Sequence, residues 1–210
     1  MLACLRMGQR VSLFMNDTSQ SGEPKAEKAE LRALARARRA AISPEERVAR
    51  SERAAYLAAG RFPAPRSIGL YMPMDTEFDP RPLAQALAGP DTLWGLPVVR
   101  GRATSLRFRR WKPGEALLPH VFGTFAPGQD APELAPDLLL VPMLAFDGDF
   151  YRLGYGGGFY DRTLAELRAA GGPVLAIGVG FSAQRMDAVP RGPYDEPLDA
   201  IVTEDGIVLP

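Results

Sequence analysis

The 210 residues balance 25 basic against 25 acidic side chains and include one histidine and one cysteine. That length is enough for a single domain with a sizeable core, and zero net charge argues against a general nucleic-acid binder. Cys4 alone makes no disulfide framework or thiolate metal cluster, and His120, set among Leu117, Leu118, Pro119 and Val121, reads as a loop residue, neither a zinc site nor part of a triad. Catalysis in such a chain rests on carboxylates, arginines, backbone N–H groups and a bound cation.

In chain order, residues 1–15 contain Arg6 and Arg10 and lack the apolar core of a secretory signal. Residues 1–24 read as a flexible extension, with Met7 and Met15 as alternative starts, and 25–210 as the single domain. Residues 25–41, rich in alanine, glutamate, lysine and arginine, predict a helix. Ser43-Pro44-Glu45-Glu46 is a capping box with proline at the first helical position, so a second helix runs to about residue 59. Residues 67–74 predict a strand running into a turn, 82–88 a short helix, and 92–99 and 105–111 two further strands. The proline- and glycine-rich stretch 114–136 reads mostly as loop. The apolar run 138–146, nine residues long, predicts one buried strand and is far short of a membrane span, so a cytoplasmic protein with no membrane partner is expected. A helix follows over 161–170, with Leu164 and Leu167 three apart on one face. Residues 174–181 predict another strand, and 200–208 a hairpin turning at Glu204-Asp205-Gly206. The alternation of strand and helix predicts an α/β fold: an open, largely parallel sheet flanked by helices, layered as in Rossmann-like domains.

Residues 152–162, Arg-Leu-Gly-Tyr-Gly-Gly-Gly-Phe-Tyr-Asp-Arg, lie between the apolar strand and the helix. Glycines there let backbone approach a ligand without Cβ clashes and leave N–H groups and a helix dipole facing it, which suits a phosphate chain. Gly154, Gly156 and Gly158 do not make the dinucleotide spacing, because Phe159 takes the third glycine's place, and no Gly-Lys-Ser/Thr ending marks a Walker loop. Arg152 adds a positive charge at one edge, with Asp147 or Asp149 as its alternative, purely structural partners. Asp161 adds a carboxylate at the other edge, where a magnesium ion fits; it doubles as a candidate N-cap.

Four separated motifs resemble the 5-formyltetrahydrofolate cyclo-ligase (methenyltetrahydrofolate synthetase) family. They are Lys28-Ala29-Glu30-Leu31-Arg32, then Tyr71-Met72-Pro73-Met74-Asp75-Thr76-Glu77, then the block from Val141 to Arg162, and finally Gly180-Phe181-Ser182-Ala183-Gln184 with Val189-Pro190, Asp195 and Val202-Thr203-Glu204. The resemblance spans about residues 25–206. It implies an ATP- and Mg2+-dependent C–N ligase that converts 5-formyltetrahydrofolate, with or without a polyglutamate tail, to 5,10-methenyltetrahydrofolate, ADP and phosphate, as a monomer. By position it implies ATP contacts at Lys28, Arg32, Arg152, Leu153, Gly154, Tyr155, Gly156, Gly157, Gly158, Phe159 and Tyr160. Folate contacts fall at Met72, Glu77, Tyr155, Gly156, Gly157, Gly158 and Phe159, with Phe122 as a further wall. Magnesium falls at Asp161 and Asp195, and Arg152 is the catalytic charge. Arg36, Arg38 and Arg39 read as a solvated helix face, Met72 otherwise as plain core, and Asp195 otherwise as a turn former. Some members carry Arg-Gly-Lys-Gly where this chain has Tyr155-Gly156-Gly157-Gly158, and Tyr194 stands where a histidine often precedes the aspartate. Two alternatives stay open: a phosphosugar isomerase or CoA-transferase-like enzyme using the same loop, and a non-catalytic protein that sequesters 5-formyltetrahydrofolate.

Overall fold

The computed structural model describes residues 23–210; Cys4, Met7, Met15 and most of the expected N-terminal extension lie outside the described residues. The chain opens with α1 (Glu23–Ala40) and α2 (Pro44–Ala58). The capping box forms as its spacing requires: Ser43 Oγ accepts from Glu46 N–H (3.2 Å) and Glu46 Oε2 accepts from Ser43 N–H (3.1 Å). There follow β1 (Ser67–Gly69), α3 (Arg81–Leu87), β2 (Leu93–Val99) and β3 (Leu106–Arg110). The stretch expected to be mostly loop holds three two-residue strands, β4 (Leu118–Pro119), β5 (Phe125–Ala126) and β6 (Glu133–Leu134), with a 3₁₀ turn at Val121–Gly123. Then come β7 (Leu138–Pro142), β8 (Ala145–Phe146), β9 (Arg152–Leu153), α4 (Phe159–Ala169), β10 (Leu175–Val179), a 3₁₀ turn at Ser182–Gln184, β11 (Ala200–Thr203) and β12 (Gly206–Val208).

The apolar run is therefore two strands, not one. Parallel pairing with β10 ends at Pro142, opposite Val179, where the ring supplies no N–H for the ladder. Beyond it the Met143 and Leu144 carbonyls accept from the buried Gln184 amide (2.6 and 3.0 Å). The chain then pairs antiparallel with itself, Ala145 opposite Leu153 and Phe146 opposite Arg152. A hairpin thus stands between the main strand and the glycine run.

Eight strands form one sheet in the order β12-β11-β10-β7-β1-β2-β3-β6, parallel from β11 to β2 and antiparallel at both edges. Side chains alternate across it, as a pleated strand demands. Leu138, Leu140, Ile177, Val179, Ala200 and Val202 face the cluster under α2 and α3. Leu139, Val141, Ala176 and Ile201 face the cluster that includes Leu164 of α4. Burying each such leucine, valine or isoleucine stabilises the fold by roughly 1.5–3 kcal/mol relative to exposure. The third cluster is small: Ala35 and Leu31 of α1 pack on Leu144, Ala145, Leu153, Met186 and Val189. It docks α1 onto the β8–β9 hairpin.

Chain order reverses at the middle of the sheet. From β1 the chain moves outward to β2 and β3, then returns to the other side of β1 as β7 and moves outward again to β10 and β11. A crevice at the carboxyl ends of β1 and β7 follows from that reversal. The segment after β1, carrying Met72 to Glu77, and the hairpin after β7, leading into the glycine loop, meet there.

Candidate active site

The glycine loop leaves β9 and enters α4 through Gly158, whose φ of +62° takes the N-cap place; Gly156 has φ +97°. Both values suit glycine and strain other residues. The helix begins at Phe159, so Asp161 lies inside its first turn and is not the N-cap. Among the described residues the N–H groups of residues 155–158 donate to no protein acceptor, and residues 155–157 are exposed. A row of open amides at a helix start is an anion cradle.

Cations surround that row. From α1, Arg32 Nε donates to the Gly154 carbonyl (2.9 Å), and Lys28 Nζ reaches Asp195 Oδ2 (3.2 Å). Arg162 Nη2 donates to the Gly157 carbonyl (2.7 Å), with its guanidinium 5.3 Å from the Phe159 ring centroid. Arg152 does not meet Asp147 or Asp149, which Arg191 holds. Its side chain is only 4% exposed; Nη2 donates to Asp161 Oδ1 (2.6 Å) and Nη1 to the Glu196 carbonyl (2.7 Å). Burial pulls the guanidinium below its ordinary range, and Asp161 and then Asp195 oppose that pull.

The two aspartates are neighbours through the backbone: Asp161 Oδ1 also accepts from Glu196 N–H (3.2 Å), one residue beyond Asp195. Asp195 Oδ2 accepts from Gly192 N–H (2.7 Å) besides Lys28. Among the described residues no group of three or more histidine, cysteine or acidic side chains stands ready to hold a metal by itself. Each aspartate nonetheless keeps one oxygen without a hydrogen-bond donor from the described residues. Two carboxylates with a spare oxygen each fit magnesium, which takes one or two protein carboxylates and completes its shell with water and phosphate oxygens.

Beyond Tyr155 lies the end of β1. Glu77, 8% exposed, accepts from Met74 N–H (3.0 Å) and from the Tyr155 hydroxyl. Partial burial and the Glu77 carboxylate push the Tyr155 phenol up to about 12, so it donates. Tyr160 is raised in the same direction, by burial first and then by Glu77. Met72 is half-buried and packs against the core under α2 and α3, the plain-core role sequence allowed it. Phe122, in the turn after β4, lies 6.0 Å from Phe159 between ring centroids, which brings the expected wall to the loop. Leu153, another expected contact, has its side chain buried against α1, so only its backbone is left to face a ligand.

Sequence reasoning placed Arg39 on a solvated face, and the structure corrects this. Arg39 is 4% exposed; Nε donates to Thr76 Oγ1 (3.0 Å) and Nη1 to the Tyr155 hydroxyl (2.9 Å). Arg36 and Arg38 are exposed as expected. The signal was a helical one: positions 28, 32, 35 and 39 advance by three or four along one face, the face that Ala35 buries. Arg162, within the quoted motif, was also given no role.

Comparison with known proteins shows the family of the chain. The sequence profile of the 5-formyltetrahydrofolate cyclo-ligase family matches residues 24–204. The 5-formyltetrahydrofolate cyclo-ligase of Escherichia coli (strain K12) is 30% identical over 177 residues, 81% of this chain and 96% of the relative. That of Haemophilus influenzae is 31% identical over 138 residues, 63% of this chain and 73% of the relative. The NMR structure of Aquifex aeolicus 5,10-methenyltetrahydrofolate synthetase superposes with a TM-score of 0.72 at 30% identity, covering 87% of this chain and 92% of that one. With its motifs in order, its profile matched almost throughout the described region and its fold shared, the chain belongs to the 5-formyltetrahydrofolate cyclo-ligase family.

Proposed function

We propose that this chain uses ATP and magnesium to cyclise 5-formyltetrahydrofolate to 5,10-methenyltetrahydrofolate, with ADP and phosphate released, and that the cleft at the ends of β1 and β7 is where it does so. One observation carries the assignment of the site. Open amides of residues 155–158 lie between a cationic, aspartate-bearing flank (Lys28, Arg32, Arg152, Asp161, Asp195) and a carboxylate flank (Glu77). A triphosphate suits the first flank and a folate ring the second, since the pterin edge presents N–H donors that Glu77 accepts.

The chemistry needs both flanks. An N-formyl oxygen is a poor leaving group. Its attack on the γ-phosphorus forms an O–P bond while the bond to ADP breaks; N10 then attacks the formyl carbon, loses its proton, and phosphate departs with the former formyl oxygen. The chain holds the two reactants in line and offsets charge on the transferring phosphoryl group. Lys28, Arg32 and the amides of residues 155–158 meet the phosphates. Arg152, spent on Asp161 and the Glu196 carbonyl, acts as a positioning residue that fixes Asp161 and adds charge behind the loop. Asp161 and Asp195 would hold magnesium, which supplies further neutralisation of phosphate charge when bound. Phe122 and Phe159 wall the folate side.

Purified protein mixed with 5-formyltetrahydrofolate, ATP and magnesium is expected to develop the near-ultraviolet absorbance of the methenyl product, with no growth when ATP or magnesium is left out. Tight folate binding with no product would make the chain a sequestering protein instead.

A further inference from the structure

Arg39 is a buried cation with no carboxylate in contact among the described residues. It reaches negative charge only through the Tyr155 phenol, which accepts from Arg39 Nη1 (2.9 Å) and donates to Glu77 Oε1. Tyr155 is the one residue of this relay that reaches the surface. It is 44% exposed and stands between Gly154 and Gly156 (φ +97°). The other two members are fixed: Glu77 is buried and tied to Met74 N–H (3.0 Å), and Arg39 is tied to Thr76 Oγ1 (3.0 Å). Oε2 already accepts from Met74 N–H and Oε1 from the phenol, so a donor from outside that approaches Oε1 meets the phenol there.

From this we infer that Tyr155 is a specificity-determining residue whose hydroxyl sits on Glu77 in place of the folate ring's own donor, and that Arg39 is the positioning residue that retains the phenol when the ring displaces it. The inference rests on the reading of Glu77 as the folate contact. The exchange is balanced: one O–H···O⁻ bond is given up, one N–H···O⁻ bond replaces it, and the freed phenol O–H donates to water at this exposed residue. Arg39 keeps its bond to the phenol oxygen throughout, so the displaced ring stays at the mouth of the cleft. The guanidinium also lies 5.9 Å from the Tyr155 ring centroid, and Arg36, on the same helix, lies at the same distance, so both cations stand within reach of the ring. A phenol that must be displaced weakens every ligand, but least those that offer Glu77 a good donor. The contact therefore selects for a pterin-like N–H edge.

The test is calorimetric binding of 5-formyltetrahydrofolate, without ATP, to the full-length wild type, Y155F, R39M, the double variant Y155F/R39M, and E77Q. Y155F keeps the ring and removes the competing donor, so it is expected to bind folate about 3- to 10-fold more tightly, the range a charge-assisted hydrogen bond lost in part implies. R39M is expected to weaken folate binding when Tyr155 is present and to change nothing in the Y155F background. Folate binding by Y155F that is weaker than wild type, or unchanged, overturns the inference: the hydroxyl would then be a productive contact or an idle one. An equal loss from R39M in both backgrounds overturns the role given to Arg39, since a purely structural effect on α1 does not depend on one hydroxyl. E77Q separates the two levels. If it binds folate as well as wild type, Glu77 is not the folate contact and the reading beneath the inference fails with it; if E77Q loses binding while Y155F does not gain it, only the inference fails.

Discussion

Arg152 reaches both of its partners with separate nitrogens, Nη2 to Asp161 and Nη1 to the Glu196 carbonyl. A lysine carries the charge but not the fork, so Arg152→Lys is expected to behave nearly as Arg152→Ala in turnover, both falling by two orders of magnitude or more, about 3 kcal/mol in barrier. Steady-state rates of methenyl formation check this; full activity in either variant would remove Arg152 from the machinery. Gly69 gives a prediction of a different kind. A Cβ there would stand 2.7 Å from Leu139 Cδ1, 2.9 Å from Phe108 Cε1 and 3.1 Å from Pro136 Cβ. Leu139 and Phe108 are buried and a proline ring has little freedom to yield. Gly69→Ala is therefore expected to cost about 1–3 kcal/mol, read as a lower urea midpoint with an unchanged slope. At this scale the motif residues were legible because their order along the chain is itself a signal. Arg39 was not. Arg36, Arg38 and Arg39 look alike as letters, and only the docking of α1 against Thr76 and Tyr155 separates the buried one from its neighbours.

Among the elements, α2 was legible to within a residue because its start is written locally: Ser43, Pro44 and Glu46 make the cap without help from the rest of the fold. Ser43→Ala is expected to lower stability by about 1 kcal/mol, measurable by denaturant titration. β8 and β9 were illegible for the opposite reason. Each is two residues long, too short for any periodicity, and each is set by its pairing with the other. The start of β1 depends on a single carboxylate. Asp137, just before β7, accepts from Ser67 N–H (3.0 Å), Arg66 N–H (3.2 Å) and Arg66 Nε (3.2 Å). Burial pushes this carboxyl up, but the Ser67 N–H together with the Arg66 guanidinium and N–H outweighs it and holds the group below its ordinary 3.8. A group depressed in the folded state stabilises the fold fully above its unfolded value and ceases to do so as pH falls through the folded one. Asp137→Asn is thus expected to be less stable than wild type at neutral pH, with a shallower loss of stability below about pH 4. Parallel loss in the two proteins would show that the carboxylate does not matter there.

Across the whole molecule, α1 is held largely by the site: Lys28 to Asp195, Arg32 to the Gly154 carbonyl, Arg39 to Thr76 and Tyr155, and the small cluster around Ala35. α2, by contrast, packs its Ala54, Ala55 and Ala58 into the main core. Adding ATP and magnesium is expected to slow amide exchange in α1 much more than in α2; equal protection would mean that α1 takes no part in binding. The parallel character of the sheet was legible in the alternation of strands and helices. The order of its strands was not, because pairs such as Ile68 with Leu138 and Gly69 with Leu139 join residues that no local pattern connects, and the cleft depends on that order. The ion pair between Lys28 and Asp195 joins positions 167 residues apart, and this has a consequence for how the protein is made. The helix that bears Lys28 leaves the ribosome before the glycine loop and the Asp195 segment, with neither of them yet there to close upon. Only after the glycine loop, and then the segment around Asp195, have emerged can the cleft assemble, so a chain interrupted late in translation holds most of its sheet and none of its chemistry.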